Sequence, residues 1–498
     1  MTSWKTKRTN WRASRSSRRA ALALASTLAV LAPSAQTARA APAGELGPVR
    51  YAPRLASAAG GPGVRTVLAQ MIRRRRITGD EYRADIGAYD RARHAFNGLS
   101  GTRAYELGAV IADAERIARD NELSASLAPS LFLTLERNAQ WWSHDPLLGD
   151  GQRVSFAPSE LIFEHYPGQG LQIQWLGTFG RGNGLIDDGH DGGALRRIVD
   201  EILALAADRA GGLSWDYLFP FDGGTPPWSG GLSQGTGLEL LAHAGKILHS
   251  SATLAAARRA LALFKVPPPA GVRIRTRAGA AYAEYTFAPG DRILNGFIQA
   301  DVGLYEYARS THSTVAARLF AEGDAQARVE TPRYNTGYWS LYDQYGESTL
   351  NYQIVLAEFL RHLCRLTREG PPGAPRTLAD GASTTPRPIA ADDIYCRTAT
   401  DFFADLHTPP RLRVLTARAA DGRPGAITVS VSKISSVTLS VHHGARVLFS
   451  TSLLLSGGRH RLWWQAPRRP GRYTVDLAAT DLAGNHARIS TPLVLSRR

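Results

Sequence analysis

The spacing of apolar residues changes once along the chain, and that change limits the fold more than any single motif. Between Val64 and Leu366 apolar side chains recur three and four residues apart. Leu195, Ile198, Ile202 and Leu205 form one plain stripe, and Tyr105–Ile117 and Ala128–Trp142 carry others. That spacing collects one apolar face on a helix. From Arg411 the period is two, in Ile427–Val431, Val437–Val441, Val447–Phe449, Tyr473–Leu477 and Ile489–Leu495, with Gly and Pro turns between them. Alternation places every second side chain on one face of a strand. One chain therefore joins a mainly α region to a small β-sandwich, immunoglobulin-like in its strand spacing. At 498 residues it is long enough for each to bury its own core.

Within the helical region the same reading predicts helices over Asp191–Arg209, Thr236–His249, Ser251–Phe264, Leu294–Tyr307 and residues 312–327. A short β piece is expected at Arg273–Arg275 and Ala281–Phe287. The rhythm of helix, aromatic-glycine loop, helix predicts an α/α barrel, or toroid, with its loops gathered at one end. The Pro-, Gly- and Thr-rich stretch 367–409 reads as linker. The expected organisation is an export signal at 1–40, a leader and first helix at 41–100, a toroid at 101–366, the linker, and the sandwich at 410–498.

The formal net charge is +16, and residues 1–40 supply eight Lys or Arg and no acid. That basic region, the apolar run Ala20–Pro33 and Ala38-Arg39-Ala40 have the order of a cleavable export signal. Ser17-Arg18-Arg19 leaves both the general and the twin-arginine secretion routes open. No later segment reaches spanning length, so the mature protein is expected outside the cytoplasm without a transmembrane segment. The remaining 51 basic and 43 acidic residues form no nucleic-acid-binding motif. In an oxidising compartment the two cysteines, Cys364 and Cys396, are expected to pair, two buried thiols being the other reading. Asp187-Asp188-Gly189-His190-Asp191 reads as a solvated loop and helix start, and no metal-ligand set stands out.

One stretch fits neither period. Arg333–Asp343 and Thr349–Tyr352, with Tyr345 between them, crowd tyrosines, a tryptophan, carboxylates and an arginine just before an apolar helix. A rigid polar-aromatic loop held by a buried helix suits a sugar site. The glycine-punctuated run Phe163–Gly180 is a second candidate wall, with Gln169 and Gln172 placed to meet sugar hydroxyls.

Four groups of motifs give the chain a family likeness. Trp228-Ser229-Gly230-Gly231-Leu232-Ser233-Gln234-Gly235 matches Trp-x-Ser-x-x-x-Gln-Gly. Ala283-Glu284-Tyr285, Leu294-Asn295-Gly296-Phe297 and Gly303-Leu304-Tyr305 follow in order. Tyr334-Asn335-Thr336-Gly337 precedes Tyr342-Asp343, and Tyr352 matches the tyrosine of a Trp-Asp-Tyr-His segment. Over residues 210–365 the chain resembles the C-terminal domain of D-glucuronyl C5-epimerases, which act on heparosan-type glycans. The resemblance implies an α/α-toroid catalytic domain in which Glu284, Tyr285, Tyr342 and Tyr352 take part in catalysis. The family's Tyr-Asp-Leu-Arg reads Tyr342-Asp343-Gln344-Tyr345 here, and Gln353 and Leu356 replace its histidines.

Inverting carbon 5 of a uronate requires removing a proton beside a carboxylate, stabilising an enolate-like dianion, and returning a proton to the opposite face. Tyrosine and glutamate can supply both acid-base groups, and this scheme needs no cofactor or metal. Arg292 and Arg333 are the candidate partners of the sugar carboxylate; Trp228, Gln234, Asn295, Gln169 and Tyr334 are further candidate contacts with an anionic uronate polymer. In a regular strand Glu284 and Tyr285 face opposite ways, so both line one site only if the strand ends or bulges there. A non-catalytic glycan-binding protein and a uronate lyase are the alternative readings.

Overall fold

The computed structural model describes residues 61–189, 192–370, 372, 393–418 and 424–495. The expected export signal, the leader up to residue 60, His190, Asp191 and most of the expected linker lie outside the described residues. The described residues fall into two compact units. The first comprises the chain up to Arg292, Gly296–Ala327 and the residues just after Glu369; the second comprises Ile293–Asn295, Arg328–Arg368 and the chain from Asp393 onward.

The first unit opens with four helices, α1 (Val64–Arg73), α2 (Gly79–Gly98), α3 (Gly101–Arg119) and α4 (Ala128–His144). Thr78 and Glu81 close a capping box at the start of α2, each side chain bonding the other's backbone N–H. A three-stranded sheet follows, β1 (Arg153–Val154), β2 (Phe163–Tyr166) and β3 (Gly170–Ile173). Here the chain departs from a simple glycine-rich loop. Gly168 and Gly170 take φ of 77° and 67°, and their N–H groups donate to the buried Glu106 carboxylate of α3, which fixes the hairpin turn.

Helices α5 (Trp175–Asp188) and α6 (Gly192–Ala204) come next. The second was expected to reach Arg209. Instead β4 (Ala207–Arg209) pairs with β5 (Gly212–Ser214) across Ala210 and Gly211, both left-handed, a two-residue turn that forces a hairpin. Helix α7 (Gly231–Ile247) begins five residues earlier than its apolar stripe suggested, and α8 (Ser251–Ala260) follows. The strands β6 (Arg273–Arg275) and β7 (Ala280–Tyr282) pair, and β7 stops short of the expected Phe287. Helices α9 (Leu294–Thr311) and α10 (Thr314–Glu330) follow. Small residues set the contact between α7 and α9. A Cβ on Gly303 would stand 2.2 Å from the Gly235 carbonyl oxygen, so the Gln-Gly and Gly-Leu-Tyr motifs are the two sides of one close helix crossing. The first unit is thus mainly helical with three small sheets.

In the second unit α11 (Leu350–Arg368) packs against α12 (Ile394–Asp405), a helix inside the stretch read as linker. Asp393 caps it through the Tyr395 N–H. The Cys364–Cys396 disulfide ties the two helices, with Cα atoms 5.2 Å apart. The bond closes a 32-residue separation. Its loss, by reduction or by changing both cysteines to serine, is expected to cost about 3–4 kcal/mol, read as a lowered midpoint in chemical denaturation.

Seven strands complete the unit: β8 (Leu412–Arg418), β9 (Pro424–Val431), β10 (Ser435–His443), β11 (Arg446–Leu455), β12 (Gly458–Gln465), β13 (Gly471–Asp481) and β14 (His486–Leu495). They form two antiparallel sheets, ordered β11-β10-β13-β14 and β12-β9-β8, around one core that includes Ile427, Val429, Leu439, Val475 and Leu477. The Tyr473 hydroxyl donates to the Arg469 carbonyl 2.6 Å away, a tyrosine corner at the start of β13. No helix among the described residues is long and apolar enough to cross a membrane.

Candidate functional site

In the first unit Glu284 lies just beyond the end of β7, where the chain has left the strand. The early end of β7 removes the opposite-face constraint on Glu284 and Tyr285. The segment runs beside the Trp228–Gln234 motif. Gly231 N–H donates to the Ala283 carbonyl at 2.7 Å, and Thr286 N–H to the Ser229 carbonyl at 3.0 Å. A Cβ on Gly230 would lie 2.5 Å from the Glu284 carbonyl oxygen, which explains a glycine there. The Glu284 carboxylate accepts from Leu232 N–H, in the first turn of α7, at 3.3 Å. A Cβ on Gly296 would sit 2.4 Å from the same carboxylate, so the glycine of Leu-Asn-Gly-Phe makes room for it.

Aromatic rings cluster along this segment, and Tyr217 feels the Glu284 charge. Trp228 stacks on Tyr217 at 4.3 Å and meets Tyr285 edge-on at 5.7 Å, while Tyr285 stacks on Phe287 at 5.4 Å. Burial pushes the Glu284 carboxyl up to about 8, against the opposing pull of the Leu232 N–H. A carboxyl raised in the fold keeps its proton where the unfolded chain has lost it. Glu284 therefore makes the fold less stable as pH rises from the ordinary carboxylate range to about 8. Glu284→Gln is expected to remove that slope. Denaturant titrations between about pH 5 and 8 check it, and a slope unchanged by the substitution refutes the assignment.

A second polar group borders these rings in the same unit. Arg153 Nε pairs with the fully buried Glu164 carboxylate at 2.6 Å, and Gln174 Nε2 donates to the Tyr166 hydroxyl at 2.8 Å. Burial first, then the Glu164 charge, hold the Tyr166 phenol well above its ordinary range. Burial and the Glu284 charge raise Tyr217 likewise, with hydrogen bonding to Ser233 acting against them. Glu164, Tyr166, Tyr217 and Arg153 were not singled out from the sequence as site residues. The glycine-punctuated run marked Glu164 and Tyr166 only as part of a wall.

In the second unit the Arg333–Tyr352 stretch is braced from within. Arg333 is exposed and Tyr334 buried on a 3-10 turn, Thr331–Tyr334. Thr336 Oγ1 accepts from Trp339 N–H, and the buried Trp339 indole donates to the Ser348 carbonyl at 2.8 Å. Gln353 accepts from Ser340 N–H at 2.7 Å and donates to the Phe402 carbonyl at 2.9 Å; it is a structural brace. Asp343 Oδ1 accepts from Tyr345 and Gly346 N–H, folding residues 342–346 into a tight turn with Tyr345 at its tip, 79% exposed. Tyr342 leaves this turn toward Tyr352, in the first turn of α11, and their half-buried rings lie 4.5 Å apart.

Among the predicted contacts, Trp228 is 5% exposed and its indole donates to the Phe219 carbonyl, so it packs the aromatic wall. Gln234 is fully buried and its amide donates to the carbonyls of Leu213 and Ala260, which commits that group to holding α7 in place. Asn295 is buried in the first turn of α9, Arg292 is half-buried just before it, and Gln169 is half-buried in the β2–β3 turn, its carbonyl accepting from the Gln172 side chain. Glu284, Tyr285 and Trp228 come together in the first unit, and Tyr342 and Tyr352 in the second.

Residues 210–370 match a family model described as the D-glucuronyl C5-epimerase C-terminus. A D-glucuronyl C5-epimerase of Caenorhabditis elegans is 30% identical over 131 residues, covering 24% of this chain and 21% of that protein. An uncharacterized protein of Methanocaldococcus jannaschii is 30% identical over 137 residues, covering 26% of this chain and 44% of that one. The chain thus spans about a fifth and under half of these relatives. Among solved structures, an engineered protein aligns over 21% of this chain and 27% of its own at 19% identity, with a TM-score of 0.15. Every motif quoted above lies inside the matched segment, so the chain's likeness to the D-glucuronyl C5-epimerase C-terminus rests on residues 210–370.

Proposed function

We propose that the protein is an exported epimerase that inverts carbon 5 of uronic acid residues within a polysaccharide, its helices arranged as a toroid. The carrying observation is the Tyr342–Tyr352 pair, rings 4.5 Å apart and both inside the segment that matches the epimerase family. Glu284 supports it as a half-buried carboxyl pushed up to about 8, poised to exchange a proton near neutral pH.

The reaction breaks one C–H bond and forms another at the same carbon. A base takes the carbon-5 proton, the negative charge spreads onto the neighbouring carboxylate, and an acid returns a proton from the other side. Tyr342, Tyr352, Glu284 and Tyr285 are the proposed acid-base groups, and Arg292 and Arg333 the proposed partners of the sugar carboxylate. One observation favours a glycan-binding protein without turnover: an exposed Tyr345 stands at the turn tip where the motif resemblance implies an arginine.

Incubation with heparosan and other uronate polymers in heavy water separates the readings. Deuterium at carbon 5 in intact chains supports the epimerase. Cut chains with unsaturated ends establish a lyase, and uncut, deuterium-free chains that bind establish the binding protein.

A further inference from the structure

We propose that the outer face of the β12-β9-β8 sheet is a binding platform for an acidic polysaccharide chain. The three strands carry no aspartate or glutamate, and they set Arg413 on β8 and Arg459 and Arg461 on β12. Their alternation fixes which side chains face outward. Ile427, Val429, Val431, Leu462 and Trp464 point into the core, so Ala426, Thr428, Ser430, Arg459, Arg461 and Trp463 form the opposite face.

The strand register sets these residues in rows. Arg413, Ser430 and Arg459 align across the sheet; Thr416, Thr428 and Arg461 form the next row, and Ala426 pairs with Trp463 in the third. The middle strand thus carries only small side chains between two edges rich in arginine. With strands about 4.8 Å apart, Arg413 and Arg459 flank a trough about 10 Å wide, and outward side chains repeat about every 7 Å along it. Trp463 is 61% exposed, and the Arg461 guanidinium stands 4.3 Å from its ring centre.

That combination matches the chemistry of a uronate polymer. The flat C–H face of a pyranose stacks on an indole, a carboxylate accepts two parallel hydrogen bonds from a guanidinium, and the Ser430 and Thr428 hydroxyls meet sugar hydroxyls. Glu347, whose carboxylate reaches Gly457 beside the start of β12, is already occupied. It accepts from Gly457 N–H at 2.6 Å and from Ile434 N–H at 3.1 Å.

The basic track also continues toward the family segment within the same unit. Arg411, two residues before Arg413, donates to the Tyr338 hydroxyl at 3.2 Å with its guanidinium 5.2 Å from that ring. Tyr338 lies four residues before Tyr342. A polymer engaged by that stretch has a cationic surface on which to extend, and this continuity favours a polysaccharide over a nucleic acid. The proposal draws its probe from the substrate class inferred above. Its test reads binding, so it stands or falls separately from turnover.

The full chain and two variants, Arg459→Gln/Arg461→Gln and Trp463→Ala, are titrated with polyglucuronate, with neutral dextran and with duplex DNA over a series of salt concentrations. The arginine variant is expected to bind polyglucuronate about tenfold or more weakly, with a shallower salt dependence. The tryptophan variant is expected to lose about fivefold with the salt dependence kept. Thermal melts confirm that both variants fold; these side chains are exposed. Polyglucuronate affinity unchanged in both folded variants overturns the proposal, and so does an effect confined to DNA. Deuterium exchange on a short oligosaccharide is expected to be equal in all three proteins. A wild type that binds through this face without exchanging deuterium refutes the epimerase and leaves the platform standing.

Discussion

Tyr342→Phe is expected to lower carbon-5 proton exchange by about 10²–10⁴-fold, the range a positioned acid-base group contributes. The substitution removes one oxygen and keeps the ring, so the 4.5 Å contact with Tyr352 survives and stability should not change. Tyr352→Phe should behave alike. Glu284→Gln should also slow exchange, and it carries an independent signature in pH. With its carboxyl pushed up to about 8, Glu284 gains its basic form as pH climbs through that value. A wild-type rate that rises toward pH 8 and a variant that lacks this rise would identify Glu284 as the base. The measurement is deuterium incorporation into a uronate polymer at matched enzyme and substrate, with thermal melts of each protein. Full incorporation by Tyr342→Phe would remove that residue from the mechanism.

The helices and most of the sandwich were legible because their apolar stripes are clean. Misplaced boundaries have local causes. Helix α6 ends early because Ala210 and Gly211 form a hairpin turn that an apolar stripe does not register. Helix α7 starts early because Gly230 and Gly231, which look like loop residues, serve close backbone approach to Ala283 and Glu284. The strand β12 was overlooked because adjacent Trp463 and Trp464 hide the alternation; one ring faces solvent and the other the core.

Motif order alone pointed to residues that the fold places in contact, Trp228 with Tyr285 and Tyr342 with Tyr352, whereas groupings made by tertiary contact were illegible. Nothing in the spacing of Arg153, Glu164, Tyr166 and Tyr217 announces that a hairpin and a bridge between Tyr217 and Trp228 gather them beside Glu284. Gln234 sits in a motif that suggests ligand contact, and its Nε2 donates to two buried carbonyls. A polar residue in a conserved-looking motif can serve the backbone that positions the chemistry.

Lys433 is where the second unit should be most sensitive to a single change. Its ammonium and the Asp481 carboxylate lie 2.6 Å apart with side chains 1% and 0% exposed. The same ammonium donates to the Asp405 carbonyl at the end of α12, and it stands 5.0 Å from the Trp339 ring. Lys433→Met leaves a buried carboxylate without its cation, and the expected cost is about 3–5 kcal/mol. In a unit of this size that lowers the melting temperature by roughly 10 °C. The effect has a defined pH dependence. Burial pushes the Asp481 carboxyl up, but Lys433 and the Asn485 donors outweigh it and hold the group below its ordinary range. A depressed carboxyl stabilises the fold above the unfolded range and loses that contribution as pH falls through its folded value. The gap between wild type and Lys433→Met should therefore be widest near neutral pH and shrink as pH falls below the ordinary carboxylate range. Because Trp339 anchors the turn that carries Tyr342, exchange activity should fall along with stability. Calorimetry across pH checks the first effect and deuterium incorporation the second. A Lys433→Met protein as stable as wild type at neutral pH would mean that Asn485 and the backbone suffice to hold Asp481. The sandwich would then fix the Trp339 turn chiefly through Glu347, whose carboxylate spans Gly457 and Ile434.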